Sequence, residues 1–576
     1  VGVATVGGEI YFEAPYEQNC LVNAMCLGLA PHERLTRAAA AGVGNLVVLL
    51  GALTGRDGIG GASVLASAEL GEGDEAKRPS VQIGDPFEEK KLIECCLELL
   101  DRELLASLQD LGAAGLTSSS SEMASKGEVG IDVDVALVPL RESDMEPFEI
   151  MISESQERML CVVEPRLLED VLAVCERWEV RATAIGQVTG TRRLRVLDGD
   201  ELVGDLPVET LVDDCPLYDL EPERPQRAIY RPPPRRLADD AGAEATLRAL
   251  LGAPSIADKL WAFEQYDPIV GSRTVRRPAQ ADAAVLHLAN DGGSGAIAVS
   301  IEGNGRRVAC DPYTGAAEAV LECARNLACV GAEPLGLTNC LNFGNPEKPH
   351  IAWQLTQAVE GLADACRALH VPVVGGNVSL YNEAPEGPIY PTPVVGMVGK
   401  LPDPARAPGS AFTRAGLAVA LVGAFRPSLA GSELEKLRGG LSDGLPAVDL
   451  AEQSRTLAAV REATRSGLVE AAHDVAEGGL AVALAEMAIP PGIGIRASVP
   501  GDGEEALFGE GAGGVLLACA PANLDALAAI CADVPFVPLG ETGGDALVLE
   551  GAVATLSVQV DEAATAYEEA LLRSFE

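Results

Sequence analysis

The sequence predicts a mixed α+β chain built as a tandem duplication, with the leading segment of the first copy missing. Three observations carry this reading. Strand-like and helix-like apolar patterns interleave along the whole chain. Six short anchors recur in one order, at nearly equal spacing, in the two halves. A proline-rich stretch, Tyr218–Ala245, with Pro222, Pro225 and Pro232-Pro-Pro234, lies between the halves and reads as a linker.

The anchors run as follows. Val6-Gly-Gly-Glu-Ile10 resembles Val374-Gly-Gly-Asn-Val378. Leu50-Gly-Ala52 with Ile59-Gly-Gly-Ala-Ser63 resembles Val422-Gly-Ala424 with Leu429-Ala-Gly-Ser432. Gln109-Asp-Leu-Gly-Ala-Ala-Gly-Leu116 resembles His473-Asp-Val-Ala-Glu-Gly-Gly-Leu480, and each is followed by Glu-Met-Ala, at Glu122 and Glu486. Glu154-Ser-Gln156 matches Glu510-Gly-Ala512, and Ile185-Gly-Gln187 matches Leu539-Gly-Glu541. Val6-Gly-Gly8 sits almost at the start of its half, whereas Val374-Gly-Gly376 lies well inside the other. The stretch from about Asp282 to Leu369 thus has no upstream counterpart, which predicts a truncated first copy.

The elements follow from periodicity. Glu88–Arg102 has helical spacing and places Cys95 and Cys96 in the core. Ala283–Leu288 and Ala296–Ile301 read as strands, and Ala316–Val330 and Trp353–Leu369 as helices. Val371–Val374 reads as a short buried strand running into Gly375-Gly376. Leu417–Val422 is strand-like and Leu434–Arg438 helical, and Asp474–Leu480 leads into an alanine-rich helix, Ala481–Ala488.

Composition bounds the function. With 43 basic and 85 acidic residues the formal charge is −42. That field opposes nucleic acid and an anionic membrane surface. Apolar runs such as Val47–Leu53 are too short to span a bilayer. The 14 cysteines form no CxxC pattern, which suits buried thiols in a reducing cytosol. No two of the five histidines stand at metal-binding spacing, and no Gly-x-Ser-x-Gly elbow or glutaminase-type cysteine is present. His473 matches Gln109 across the repeat and is expected to be a neutral residue at a helix start.

The chemistry concentrates in glycine-rich turns and carboxamides. Gly375-Gly-Asn-Val-Ser379 is either a plain strand-to-loop turn or a site where Gly376 admits an anion, Asn377 offers oxygen to a hard cation and Ser379 a hydroxyl to phosphate. Asp110, before Gly112-Ala-Ala-Gly115 and Thr117-Ser-Ser-Ser-Ser121, is a candidate Mg²⁺ ligand, with glycines and hydroxyls opening a helix to cradle phosphate. The other reading is an N-cap with tight helix packing. What both copies share is explained by scaffold, so function is sought where they differ. Glu154-Ser-Gln156 against Glu510-Gly-Ala512, and Gln82 against Ala447, differ in this way. They suit a polyhydroxyl or amide ligand, or else are exposed polar loops. Thr338-Asn-Cys-Leu-Asn-Phe-Gly-Asn-Pro346 is an asparagine-rich loop that either contacts a nucleotide or is structural. Gly55-Arg-Asp-Gly-Ile-Gly-Gly61 lacks Gly-Lys-Ser/Thr, is not a Walker A loop, and reads as structural.

Together Val6-Gly-Gly-Glu9, Arg78-Pro-Ser-Val-Gln-Ile-Gly-Asp-Pro86, Gln109–Ala124, Ser153-Glu-Ser-Gln-Glu-Arg-Met159, Asn339-Cys-Leu-Asn-Phe-Gly-Asn-Pro-Glu347 and Val374-Gly-Gly-Asn-Val-Ser-Leu-Tyr-Asn-Glu383 resemble phosphoribosylformylglycinamidine synthase. The likeness is to the synthetase subunit of the multi-subunit type and covers essentially the whole chain. It implies two copies of an aminoimidazole-ribonucleotide-synthetase-like unit, each a ferredoxin-like half plus an α/β half. The implied domains are a remnant of the first ferredoxin-like domain (1–40), the first α/β domain (41–217), the linker (218–250), the second ferredoxin-like domain (251–405) and the second α/β domain (406–576). The implied reaction is ATP-dependent conversion of formylglycinamide ribonucleotide and ammonia to formylglycinamidine ribonucleotide, ADP and phosphate, in the cytoplasm. The implied partners are a glutaminase subunit and a small bridging subunit.

Carried over residue by residue, Asp110 and Asn377 resemble Mg²⁺ ligands. Gln82, Glu154, Ser155, Gln156 and Ser379 resemble substrate contacts, and Gly376 and Asn339 ATP contacts, although many relatives have aspartate at the position of Asn339. The family's catalytic histidines fall upstream of Val1, so the chain as given is expected to be inactive. Two alternatives stand beside this reading. One is a sister ligase of the same fold, of the aminoimidazole ribonucleotide synthetase or selenophosphate synthetase type. The other is a non-catalytic scaffold.

Overall fold

The computed structural model describes residues 1–59, 83–288, 295–551 and 555–573. It divides into two compact units, one of Val1–Gly2 with Cys26–Asp219 and the other of Val3–Met25 with Leu220–Glu576.

The first unit is built on one seven-stranded sheet. Its strands are β1 (Leu46–Gly51), β2 (Ser107–Asp110), β3 (Gly130–Asp134), β4 (Arg158–Val163), β5 (Ala182–Thr189), β6 (Arg193–Asp198) and β7 (Glu201–Pro207). Their order is β2-β4-β1-β5-β3-β6-β7. Neighbours are antiparallel except β3 and β6, which run parallel. The central strands are apolar without a break because both faces are covered. Val47, Leu49, Leu160 and Val162 share a core with Leu116 and Met123 of helix Gly115–Gly127. Val48, Leu50, Cys161 and Val163 face the other way, onto Leu92, Cys95 and Leu99 of helix Pro86–Asp101 and Val171, Val174 and Cys175 of helix Leu168–Arg177. Helix Pro86–Asp101 starts where it does because Asp85 caps the N–H groups of Phe87 and Glu88 and Pro86 occupies the first turn.

The second unit holds two large sheets. The first uses β8 (Thr274–Arg276), β9 (Ala284–His287), β10 (Ala296–Glu302), β11 (Glu333–Asn342) and β12 (Val373–Ser379); after a short hairpin of β13 (Glu383–Ala384) and β14 (Gly387–Pro388), it is completed by β15 (Thr392–Leu401). Its order is β12-β11-β15-β10-β9-β8. Helix Pro349–Leu369 makes the crossover between the parallel strands β11 and β12. Helix Pro312–Cys329 is buried along nearly its whole length and packs against helices Pro349–Leu369 and Leu450–Arg465. Helix Ala243–Leu251 forms at the end of the proline-rich stretch.

The second large sheet comprises β16 (Ala418–Val422), β17 (Val469–Asp474), β18 (Ile495–Ser498), β19 (Val515–Cys519), β20 (Phe536–Thr542), β21 (Ala546–Glu550) and β22 (Thr555–Gln559). Its order, β17-β19-β16-β20-β18-β21-β22, repeats that of the first unit strand for strand. The single parallel pair recurs (β18 with β21), and so does an irregularity at the middle of the central pair, between Val47 and Val48 in one copy and Val419 and Ala420 in the other. The duplication read from the anchors is therefore present in three dimensions.

One predicted element needs correction. The expected short buried strand at Val371–Val374 is instead β12, which runs through both glycines to Ser379, with Val373, Val374 and Val378 exposed. It is an edge strand whose neighbour in the sheet is β11. All 14 cysteines are free thiols, and ten are buried. Among the described residues no helix is long and apolar enough to cross a membrane.

Candidate active site

In the first unit, Asp110 ends β2 and is exposed. It lies across from Met159 in the β2–β4 ladder, which brings it beside the turn that holds Glu154, Ser155 and Gln156. Between Asp110 and the next helix the chain turns sharply. Ala114 and Gly115 take left-handed backbone, with φ of 58° and 51°. A Cβ on Gly115 would lie 1.9 Å from the Ser153 carbonyl oxygen, so only glycine lets the helix start pack on the 153–156 segment. The Ala114 N–H donates to Glu154 Oε1 at 3.0 Å and ties the two turns together.

Two sequence expectations change here. The serines after Gly115 do not present hydroxyls to a ligand. Ser119, Ser120 and Ser121 are buried and donate back to the carbonyls of Gly115, Leu116 and Thr117, four residues earlier. Nor is Glu154-Ser-Gln156 an exposed polar loop. Glu154 and Ser155 are buried and Gln156 is half-buried, with its side-chain N–H donating to the Glu154 carbonyl.

The frame around this turn was not foreseen. The Asp57 carbonyl accepts the Glu154 N–H at 2.8 Å, and its carboxylate accepts the Ser155 hydroxyl and Arg141 Nη2, the latter at 2.8 and 2.9 Å. Burial alone would raise the Asp57 carboxyl; the bonds from Arg141 and Ser155 outweigh it and hold it below the usual carboxylate range. Arg158 donates to the carbonyls of Ser155 (2.8 Å) and Ser153 (2.6 Å) and to Thr54 Oγ1 (2.9 Å). Burial pulls its guanidinium down to about 10, still protonated at neutral pH. Thus the part of the Gly55–Gly61 loop that is described, through Ile59, is structural. Gln82 lies outside the described residues.

In the second unit, β11 and β12 set the other candidates side by side. Asn339 pairs with Gly376, Cys340 with Asn377 and Asn342 with Ser379. A Cβ on Gly376 would come within 2.3 Å of the Asn339 carbonyl oxygen, so the glycine permits the close approach of the two strands. Asn377 is exposed on the edge strand. Ser379 Oγ accepts from Asn382 Nδ2 at 3.1 Å, and the Ser379 carbonyl accepts the Phe343 N–H. Asn342 is consumed structurally, donating to the Thr392 carbonyl and to Asn23 Oδ1, both at 2.9 Å. The candidates thus form two local groups, Asp110 with Glu154–Gln156 and Asn339 with Gly376, Asn377 and Ser379, one in each unit.

His473 also departs from the sequence expectation. It lies in strand β17, one residue before its end, and not at a helix start, and its ring lies 2.8 Å from Asp282 Oδ1 and 3.2 Å from Glu486 Oε2. Burial would lower its pKa, but those two carboxylates outweigh burial and raise it well above the usual histidine value. Asp282, His473 and Asp474 are the one such cluster among the described residues that could hold a metal ion.

Comparisons with known proteins fit this architecture. The family model described as AIR synthase related protein, C-terminal domain, matches residues 42–199 and again 414–550. The corresponding N-terminal domain model matches residues 280–401. The phosphoribosylformylglycinamidine synthase subunit PurL of Moorella thermoacetica is 48% identical over 561 residues, covering 95% of this chain and 75% of the relative. That of Anaeromyxobacter dehalogenans is 46% identical over 591 residues, covering 99% and 77%. Among solved structures, T. maritima PurL complexed with FGAR superposes with a TM-score of 0.67 at 30% identity, covering 89% of this chain and 74% of that one. T. maritima PurL complexed with ATP gives 0.64 at 29%, covering 89% and 73%. On these grounds the chain belongs to the PurL family of phosphoribosylformylglycinamidine synthase subunits.

Proposed function

We propose that this chain is the ATP-dependent ligase subunit that converts formylglycinamide ribonucleotide (FGAR) and ammonia to formylglycinamidine ribonucleotide, with ADP and phosphate as the other products. The amide oxygen of FGAR takes the terminal phosphoryl group of ATP, and ammonia then displaces phosphate to leave the amidine. Ammonia comes from glutamine through a glutaminase subunit, with a small subunit bridging the two in the cytoplasm. The reading is supported above all by identity of 45–48% to PurL subunits over 95–100% of the chain. T. maritima relatives complexed with FGAR and with ATP support it further.

The residues have parts to play in such a reaction. In the first unit the turn of Glu154, Ser155 and Gln156 offers a fixed polar surface to the ribonucleotide, chiefly through Gln156, with Gln82 as a further candidate; in the second unit, taken by itself, Ser379 is a candidate contact. The backbone of Gly376, open for lack of a side chain, and Asn339 beside it offer a place for ATP. The Asp110 carboxylate and the Asn377 carboxamide are hard oxygen donors of the kind Mg²⁺ takes, and both are exposed. Bound at either group, Mg²⁺ would offset charge on the transferred phosphoryl group. The domain division given in the sequence analysis is part of the same proposal.

Calorimetric titration of the whole chain tests it. FGAR binds, and Gln156→Ala weakens that binding about tenfold, a loss of about 1.4 kcal/mol as for one hydrogen bond to a ligand. Mg·ATP binds separately and is weakened by Asn377→Ala. A folded chain that binds neither ligand would overturn the reading.

A further inference from the structure

Resting on that reading of the 154–156 turn, we infer that Asp57 and Arg158 are positioning residues for FGAR. They never touch the ligand and act by holding the turn in its binding shape. The hydroxyls of Ser153 and Ser155, the carbonyls on both sides of Glu154 and the Glu154 N–H are taken by this frame. The Ser153 hydroxyl donates to the Gly55 carbonyl at 2.6 Å. The Ser155 hydroxyl accepts the Gly55 N–H at 2.9 Å and donates to Asp57. Its single proton is therefore spent within the protein, which makes Ser155 a tether rather than a hydrogen-bond donor to substrate. Arg158 clamps the carbonyls on both sides of Glu154. Asp57 and Arg158 are 8% and 3% exposed, so water does not compete for these bonds.

The second copy shows that the frame is not needed to fold the scaffold. Met159 and Val515 occupy the same ladder position, opposite Asp110 and Asp474, which aligns Arg158 with Gly514. There the turn is Gly511-Ala-Gly-Gly514, held by a backbone pair between Ser428 and Glu510 with both bonds at 2.9 Å. The same sheet topology forms with Gly514, Ser428 and Gly511 in the places of Arg158, Asp57 and Ser155, so that only the backbone bond of the frame is kept. The frame accompanies the copy whose turn carries Ser155 and Gln156, as expected if it serves recognition rather than folding.

The test is a mutant cycle read as ligand affinity in the whole chain, with a thermal melt beside each titration. Asp57→Asn keeps the shape of the side chain and weakens its hold on Ser155 and Arg141. It is expected to weaken FGAR at least fivefold while Mg·ATP affinity stays within twofold. Ser155→Ala should weaken FGAR to a similar degree, and the double variant should be no worse than the weaker-binding single. Arg158→Met should cost tenfold or more, and Arg158→Lys should recover part of it. If Arg158→Met fails to fold, the Asp57–Ser155 cycle decides alone. Unchanged FGAR affinity in Asp57→Asn, or strictly additive losses in the cycle, would overturn the inference. Failure of the unmutated chain to bind FGAR would overturn the function proposed above instead.

Discussion

The two seven-stranded sheets are one design used twice, and what differs between them separates scaffold from chemistry. Both copies keep the left-handed turn after β2 or β17, at Ala114 and Gly478, with φ of 58° and 78°. Both keep a carboxylate that accepts the N–H of that turn, Glu154 from Ala114 at 3.0 Å and Glu510 from Gly478 at 2.8 Å. That bond is therefore part of the fold, and Glu154 is as much a structural anchor as a candidate contact. The charges around the turns diverge. Asp110 is exposed, whereas its counterpart Asp474 is buried and bonded to Arg325 Nε at 2.8 Å. Glu510 also accepts the Glu433 N–H and lies 3.8 Å from Arg307. Burial raises it to about 7 despite the nearby arginines Arg306 and Arg307. The second copy has turned the position of Asp110 inward, and sets both acidic positions beside arginines.

The largest effect should come from unbalancing those pairs. Arg325→Met leaves Asp474 buried without its cation, at a cost of about 3–5 kcal/mol, since breaking a buried pair costs more than the pair contributes. Arg325→Met with Asp474→Asn should recover part of that loss. Asp110→Asn in the first copy should shift stability by no more than about 0.5 kcal/mol, because the group is exposed. Denaturant midpoints followed by hydrogen exchange of β17 and β2 would show both. Equal effects at the two aspartates would break the comparison.

A smaller contrast lies at the far edge of the sheets. Leu206 on β7 and Val558 on β22 hold the same register, as the rows Ile131–Leu194–Leu206 and Ile495–Leu547–Val558 show. Val558 is 1% exposed, packed in a core with helices Val560–Glu568 and Ala243–Leu251, whereas Leu206 is 49% exposed. Val558→Ala should cost about 1–3 kcal/mol and Leu206→Ala no more than about 0.5 kcal/mol, as the same thermal or denaturant melts would show. A large loss at Leu206 would mean that its face is covered in solution.

Much of this was legible in the sequence because it is local or repeated. The anchors located both sheets, and strands such as Ala296–Glu302 follow from their own apolar pattern. What was not legible depends on residues far apart in the chain. The frame joins Asp57 to Ser155 across 98 residues and Thr54 to Arg158 across 104. No local spacing signals it, although an arginine, Arg158, opening an otherwise apolar strand (Arg158–Val163) was a clue. The burial of β12 was misjudged because an edge position is a property of the sheet and not of the strand. The serines misled because a hydroxyl in a helix satisfies itself four residues back as readily as it meets a ligand.

His473 gives the most delicate contrast, since its counterpart Gln109 cannot titrate. Its partner Asp282 is 191 residues upstream, which is why the sequence suggested a neutral ring. With its folded pKa above the unfolded value near 6.5, the folded state holds the proton more tightly. The stabilisation is then complete below about pH 6.5 and is lost as pH rises through the folded value, at no more than about 1.4 kcal/mol per pH unit for one proton. Denaturant midpoints of the chain should therefore fall on the alkaline side. His473→Gln, which makes the second copy resemble the first, should be less stable at pH 6 and should lose less of its stability between pH 6 and 9. An unaltered alkaline slope in that variant would mean that His473 is already neutral, and that Asp282 and Glu486 are held apart by something other than its charge.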